Sequence, residues 1–563
     1  TDGEVTAYAK NKAAEIARGI ASMETEMLNV EQIQDAVEER LMASDRKDVA
    51  RTYTNYRYLH TMARNQYKDL MDTVEEKLMA RNVVNQNANV DEKSFGGRVG
   101  EASSAIFKRY ALDHCMSEMA RKNHEANEIY IHDLDQFATG MHNCLSIPFD
   151  DLLANGFITR QTDVRPAGSA NTAFQLVAVL FQIQSLMQFG GVSATHIDWT
   201  MVPYVRKSFY KHYIDGLFYI EEDQKYWDNY TMRKLSIHDA LFKVKKKAYQ
   251  YALDMTEKEV HQAVEGMYHN LNTLQSRSGN QLPFSSINYG TCTLPEGRMV
   301  TKAILEVSIE GLGKLHKTSI FPCGIFQVMK GVNKEPGTPN YDLYRLALKS
   351  TARRLYPNYA NVDWSGNEGY DIDDPRTYFS TMGCRTANGY DINGFGQLKD
   401  GRGNICPVTI IMPTLAMEAK EIAEAAGFGK TNDDAIDPIS AFMELLDKKI
   451  HEAKDMLLER FEWICSQSPE SAKFMWENNT MAGYVPEEGI RSAMKHGTIV
   501  IGQLGLAETL QVLIGCDHTE ERGMKLAKRI EQLFKDRCAE FKEQYKLNFG
   551  VYYTPKLFGL GVA

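Results

Sequence analysis

An α/β sheet or barrel preceded by a small helical module is the fold class this sequence predicts, and three observations predict it. From about residue 282 onward, short apolar runs alternate with helical ones: PFSSINYG, MVTKAILEVSIEGLG, TSIFPCGIFQVM, YDLYRLALKSTARRLYP. That is the pattern of strands alternating with helices. Residues 1–63, by contrast, show helical periodicity only. Between YDLYRLALKSTARRLYP and PVTIIMP lies Ser365–Asn404, too rich in Gly, Asp and Asn for a helix or core strand. A loop this long is usually functional or disordered. Met382 and Cys384 are odd residues for a solvated linker, so the loop is expected to enter the fold and present the thiol inside. A small buried residue pinning the loop is the alternative.

In chain order, Asn29 and Gln32 predict a capping box for a helix with Val30, Ile33, Val37 and Leu41 on its apolar face. Ser44 is the expected cap of the next helix, which carries Val49, Tyr53 and Tyr56 on one side. Asn82–Phe95 reads as a polar turn region. Helices at about 97–125 lead into EIYIHDLDQF. There His132, Asp133 and Asp135 are of ligand type but read better as a hydrogen-bonded turn at a strand end. NCLSIP predicts a short buried strand running into a helix, and Phe174–Gln188 a buried helix stopped by Gly190 and Gly191. Pro203–Tyr213 and Thr256–Leu274 are further helices, the second with a Thr256/Glu259 capping box. After the long loop come PVTIIMP, helices at about 416–426 and 439–467, GTIVIGQLG, helices at 506–513 and 519–544, and FGVYYT.

The 563 residues supply a large core and more than one domain. A net charge of −10 argues against a nucleic-acid partner held by counterion release. Phe174–Met187 is too short and too polar to span a bilayer, and no signal peptide is visible at Thr1. The nine cysteines are scattered without a C-x-x-C pair, which argues against a zinc ribbon and a disulfide framework; no metal site is expected, and a reducing cytoplasm is the default.

Two resemblances follow from the motifs. DGEVTAY, KAAEIARGI and LNVEQIQDAVEERLMASDRKDVARTYTNYR together resemble an ATP-cone, the nucleotide-sensing module of ribonucleotide reductases. It is shortened between Ile20 and Asn29, and its nucleotide contacts would include Asp2, Gly3 and Lys12. The remainder, through NQNAN, IHDLD, NCLSIPFDDLLANGF, MQFGG, SGNQLPF, SIFP, RRLYP, MGCR and GRGN, resembles an anaerobic (class III) ribonucleotide reductase, a glycyl radical enzyme.

That resemblance implies a ten-stranded α/β barrel over residues 64–563 with a finger loop at about 365–404, behind an ATP-cone at 1–63. It implies reduction of ribonucleoside triphosphates, with Cys384 as the thiyl, Cys144 as the thiol on the opposite ribose face, and Asn143 and Asn404 orienting substrate. A thiyl suits the task because an S–H bond and an activated C–H bond are close in strength, and the site must be shielded from water.

Asn404 is associated with formate as reductant; Cys406, two residues on, falls on the same face by two-residue alternation if the strand has begun, and keeps a redoxin route open. ATP or dATP, deoxynucleotide effectors with Mg, a radical-SAM activating enzyme and a homodimer or higher oligomer are implied as well. The family's C-terminal glycyl radical motif and four-cysteine zinc site have no match here; FGLGVA reads as a tail. The glycyl radical and the zinc are therefore expected on a segment outside these residues. Two alternatives are a catalytically inactive nucleotide-binding regulator and a glycyl radical enzyme of formate-lyase type.

Overall fold

The computed structural model describes residues 7–23, 28–79, 93–223, 231–277, 280–382, 386–426 and 437–553. Asp2, Gly3, Cys384, the tail and most of the Asn82–Phe95 turn region lie outside these residues. The chain divides into two units, residues 1–82 and 83–563.

The first unit holds helices Ala7–Ala21, Val30–Met42 and Lys47–Met79. The predicted capping box forms: Gln32 N–H donates to Asn29 Oδ1 at 2.8 Å, and Asn29 N–H donates to Gln32 Oε1 at 2.9 Å. Ser44 does not cap the third helix. Its hydroxyl donates back to the Leu41 carbonyl at 2.7 Å, closing the second helix, and the third starts at Lys47. Ile16, Leu41 and Ala50 form the small core, with Val37, Val49 and Tyr53 packed on it. A cavity of about 810 Å³ opens among these helices, lined by Tyr8, Lys12, Ile16, Val37 and Arg46 among others.

The second unit is built on one mixed sheet. Its strands are β1 (Ile129–Ile131), β2 (Cys144–Ser146), β5 (Val192–Ala194), β6 (Ser285–Tyr289), β7 (Cys323–Val328), β8 (Asn358–Asn361), β11 (Gly403–Ile411), β12 (Thr498–Leu504) and β13 (Asn548–Tyr553). Two small antiparallel ribbons stand apart: β3 (Phe157–Ile158) with β4 (Asp163–Val164), and β9 (Thr381–Met382) with β10 (Thr386–Ala387). The sheet order is β13-β12-β11-β2-β5-β6-β7-β8, with β1 on β11. Neighbours run parallel within β13-β12-β11 and within β2-β5-β6-β7-β8. The two parallel halves meet antiparallel at the β11–β2 seam, where Gly403 pairs with Leu145 and Asn404 with Cys144. Nine strands are hydrogen-bonded in this sheet among the described residues, against the ten of the sequence expectation.

Strands of a sheet covered by helices read as near-continuous apolar runs, and β6, β11 and β12 are buried at every position. Each half has its own core. Ile129, Ile131, Leu145, Ile405 and Ile410 pack with Phe442, Leu457, Ile530 and Phe534 in one. Ile147, Phe174, Phe181, Val192, Ile287 and Phe326 pack with Val264 and Ile304 in the other.

Three helix expectations shift. The Phe174–Gln188 segment is a helix over Ala170–Gln184, capped by Ser169, which ends when Ser185 turns its hydroxyl onto the Phe181 carbonyl. The Pro203–Tyr213 helix runs over Val202–Tyr219. The Thr256/Glu259 capping box does not exist, because the helix runs unbroken over Lys246–Thr273. Thr256 instead back-bonds to Ala252 O at 2.6 Å, and Glu259 is held by His212 and Ser208.

Candidate active site

The site forms where the long loop meets the seam. Chain segments approach closely there, and two glycines permit it. A Cβ on Gly190 would stand 2.1 Å from Asn143 Oδ1, and one on Gly403 would stand 2.1 Å from the Cys144 carbonyl oxygen. The FGG and GRGN motifs are thus steric requirements of the seam. Cys144, buried, points its thiol toward Asn143 Oδ1 at 3.3 Å and accepts the Gly191 N–H at 3.2 Å. Asn143 is fixed by its main chain: its N–H donates to Ile405 O, and its carbonyl accepts from Gly190 N–H and Gln188 Nε2.

Asn404 sits opposite Cys144 in the register, so both side chains leave the same face of the sheet. It is fully buried, and neither Oδ1 nor Nδ2 has a hydrogen-bond partner among the described residues. Leaving one buried polar group unpaired costs about 1–3 kcal/mol, and native structures rarely leave both ends of an amide so.

The loop does enter the fold. Ribbon β9–β10 pairs Thr381 with Ala387 and Met382 with Thr386, and Met382 is 1% exposed. Asn288 on β6 clamps the ribbon to the sheet, accepting the Thr381 N–H and donating to the Thr381 carbonyl. Gln327 on β7 donates to Phe379 O at 3.0 Å. Thr386 Oγ1 lies 3.6 Å from Cys144 Sγ. Cys384 itself lies outside the described residues; it falls in the three-residue connection of this ribbon.

The return limb is anchored by buried ions. Arg402, 1% exposed, donates from Nε to His496 O and from Nη1 to Gly389 O and Leu398 O. Asp391 accepts from His496 at 2.8 Å and Asn548 at 2.7 Å; burial opposes its charge, but these donors hold its carboxyl below the usual range. On the other side, Asp400 accepts from Thr195 Oγ1, which also meets His196 Nδ1, and His196 Nε2 pairs with Asp150 at 3.0 Å. Burial works against a charge on His196, yet Asp150 and Asp400 outweigh it and raise the imidazole to about 9.

Cys406 does not share the face of Asn404. The β11–β12 register steps from Asn404–Thr498 to Cys406–Ile499, a bulge at Ile405 that breaks the two-residue alternation. Cys406 is fully buried in the outer core, its thiol 3.6 Å from Leu457 O, and burial pushes it up to about 12. Cys115, Cys292, Cys465, Cys516 and Cys538 are, like Cys406, free thiols.

His132, Asp133 and Asp135 form a polar turn as expected: His132 meets Thr409 Oγ1 at 2.6 Å, and Asp135 accepts from Ser104. No group of three His, Cys, Asp or Glu among the described residues could hold a metal. Sequence reasoning missed Thr386, His142 and Arg277. The first two lie two residues from Cys384 and Cys144. Arg277 carries no local signal; burial lowers its guanidinium, while Asp133, Cys144 and Asp135 act the other way. In the first unit, Lys12 lines the cavity and pairs with Glu15 at 2.9 Å, and the Arg46 guanidinium lies 5.6 Å from the centre of the Tyr8 ring.

Residues 86–556 match the family described as anaerobic ribonucleoside-triphosphate reductase, and residues 3–62 match the ATP cone domain. The chain is 28% identical over 562 residues to the anaerobic ribonucleoside-triphosphate reductase of Haemophilus influenzae, covering 97% of this chain and 72% of that one. The Escherichia coli protein of that name is 28% identical over 538 residues, covering 94% and 69%. The anaerobic ribonucleotide reductase of Thermotoga maritima, solved with dATP and CTP, superposes with a TM-score of 0.56 at 14% identity over 88% of this chain and 75% of that one, and shares the fold.

Proposed function

Because the chain belongs to the anaerobic ribonucleoside-triphosphate reductase family of oxidoreductases and carries an ATP cone, we propose that it makes deoxyribonucleoside triphosphates by thiyl chemistry, with formate as reductant and nucleotides as allosteric effectors. The observation that carries this reading is the buried Asn404 amide, unpartnered among the described residues and in register with Cys144 beneath the ribbon that bears position 384. A regulator without catalysis would have no use for such an amide.

Cys384, as the thiyl, takes the ribose 3′-hydrogen atom and regains its S–H bond. Cys144 gives its proton to the departing 2′-hydroxyl, which leaves as water. Asn143 and Asn404 hold the ribose hydroxyls, the amide both donating and accepting. Formate supplies two electrons and leaves as carbon dioxide, so that triphosphate, formate and one proton give deoxytriphosphate, carbon dioxide and water. The approach of Thr386 to Cys144 brings the ribbon against that thiol; a glycyl radical on a further segment, installed by a radical-SAM activating enzyme, would supply the oxidising equivalent to Cys384. Zinc belongs to that further segment. The outer-core position of Cys406 supports the formate route, since an exchange-competent thiol must be accessible and ionisable.

In the first unit, Lys12, with Asp2 and Gly3, binds ATP or dATP with Mg; the described part of this site is the cavity lined by Lys12 and Arg46. The ten-stranded barrel, a homodimer or higher oligomer and a cytoplasmic location complete the proposal. Among the described residues no helix is long and apolar enough to cross a membrane. The test is anaerobic turnover of the radical-bearing enzyme: Cys384→Ala abolishes deoxynucleotide formation while nucleotide binding persists. Measurable product from that variant would refute the assignment.

A further inference from the structure

A row of fully buried side chains, Thr480, Gln184 and Gln188, runs up to the Cys144 strand, and its polarity is fixed at that end. Gln188 donates from Nε2 to Asn143 O at 3.0 Å and to Gly191 O at 2.8 Å. Carbonyl oxygens only accept, so the amide nitrogen must face them and Oε1 must face away. There Oε1 accepts from Gln184 Nε2 at 2.9 Å, and Gln184 Oε1 accepts in turn from Thr480 Oγ1 at 2.8 Å. Reversing either amide would set oxygen against oxygen in a place water does not reach.

The peptide that this clip holds is the one facing the thiol. Gly190 N–H donates to Asn143 O at 2.9 Å, and Leu145 N–H donates to Gly191 O at 3.0 Å. Between these bonds the Gly191 N–H points at Cys144 Sγ, 3.2 Å away, while the Cys144 S–H faces Asn143 Oδ1 at 3.3 Å. Thr386 Oγ1 lies 3.6 Å from the sulfur, but its single hydrogen goes to Met382 O at 2.8 Å.

We propose that the Gly191 N–H is a catalytic donor to the Cys144 sulfur, aimed by Gln188 as a positioning residue. The catalytic role rests on the reductase reading above; the contact does not. When Cys144 gives its proton to the departing 2′-hydroxyl, the S–H bond breaks, water leaves and the sulfur keeps the electron pair. An N–H aimed at that sulfur binds it more strongly once it is negative, so the contact favours the transition state over the ground state. Because the donor is already held by buried hydrogen bonds, nothing has to reorganise at that moment.

The test is Gln188→Met in the full-length radical-bearing enzyme. Methionine is also unbranched, removes both amide donors, and leaves each carbonyl its main-chain donor. Product formation should fall about tenfold or more, while KM and the exchange of labelled 3′-hydrogen by Cys384 stay as in the wild type. Without any turnover, modification of Cys144 by methyl methanethiosulfonate, read by mass spectrometry of its peptide, should have its pH midpoint raised by about one pH unit. Arg277, whose charge also acts on Cys144, is the same in both proteins. An unmoved midpoint overturns the proposal, and so does loss of exchange together with product, which would make Gln188 structural only. Where Gln188→Met does not fold, Thr480→Val, which frees Gln184 from behind, should move both readings the same way by less, and no movement there overturns the proposal as well. If the wild type makes deoxynucleotide and the midpoint stays still, the inference fails and the reductase reading stands. If the midpoint moves in an enzyme that makes none, the contact stands and that reading falls.

Discussion

At the scale of single residues, Asn404 separates a functional role from a structural one by the sign of its effect on stability. A structural asparagine is satisfied, and removing it costs free energy. Asn404 is buried with both amide atoms unpaired among the described residues, so Asn404→Leu, of the same branched shape, should stabilise the chain by about 1 kcal/mol or more while abolishing turnover. Thermal unfolding and anaerobic turnover of the same preparation check both halves; a lowered midpoint refutes the reading. Cys144→Ser should stop product formation yet leave exchange of labelled 3′-hydrogen, because Cys384 still abstracts it; loss of exchange together with product would mean the two thiols do not divide the work this way. Cys406→Ser should keep formate-dependent turnover and cost about 1 kcal/mol of stability from a hydroxyl in an apolar wall.

At the scale of elements, the finger loop is held by buried polar contacts more than by apolar packing, and it should fail when those contacts are lost. Arg402→Leu leaves the Gly389 and Leu398 carbonyls without their donor, at about 1–3 kcal/mol each, while the His496 carbonyl keeps Asn548 Nδ2. The variant should unfold at least about 2 kcal/mol more easily in denaturant titrations, and a loss below about 1 kcal/mol would show that the clamp does not matter. The His196 latch gives a pH dependence. Its imidazole is raised from the usual 6.5 to about 9 in the fold, with Asp150, Asp400 and Asp198 facing it. Its contribution is therefore complete below about pH 6.5 and is lost as pH rises through about 9. The thermal midpoint of the wild type should fall across that upper range, and His196→Gln should flatten the fall.

At the scale of the whole molecule, strand–helix alternation, the capping box at Asn29, the buried NCLSIP strand and the entry of the long loop were all legible in the sequence, because each is a local pattern. The bulge at Ile405 was not, since the shift exists only against β12, and it reversed the expected side of Cys406. The Thr256 cap failed for a related reason: packing against the 202–219 helix carried the 246–273 helix straight through a sequence that resembles a start. The first unit should act as a separable nucleotide binder; calorimetry on residues 1–63 with ATP and dATP should give saturable heat, and none at millimolar concentration would count against the cone. The seam has one more consequence. The two parallel halves are joined covalently through the finger, yet β1, from the amino-terminal side of the finger, is hydrogen-bonded to β11 and buried in the carboxy-terminal half's core. A protease that nicks the finger would therefore leave two pieces clasped together, running as one species on a native gel and parting only in denaturant.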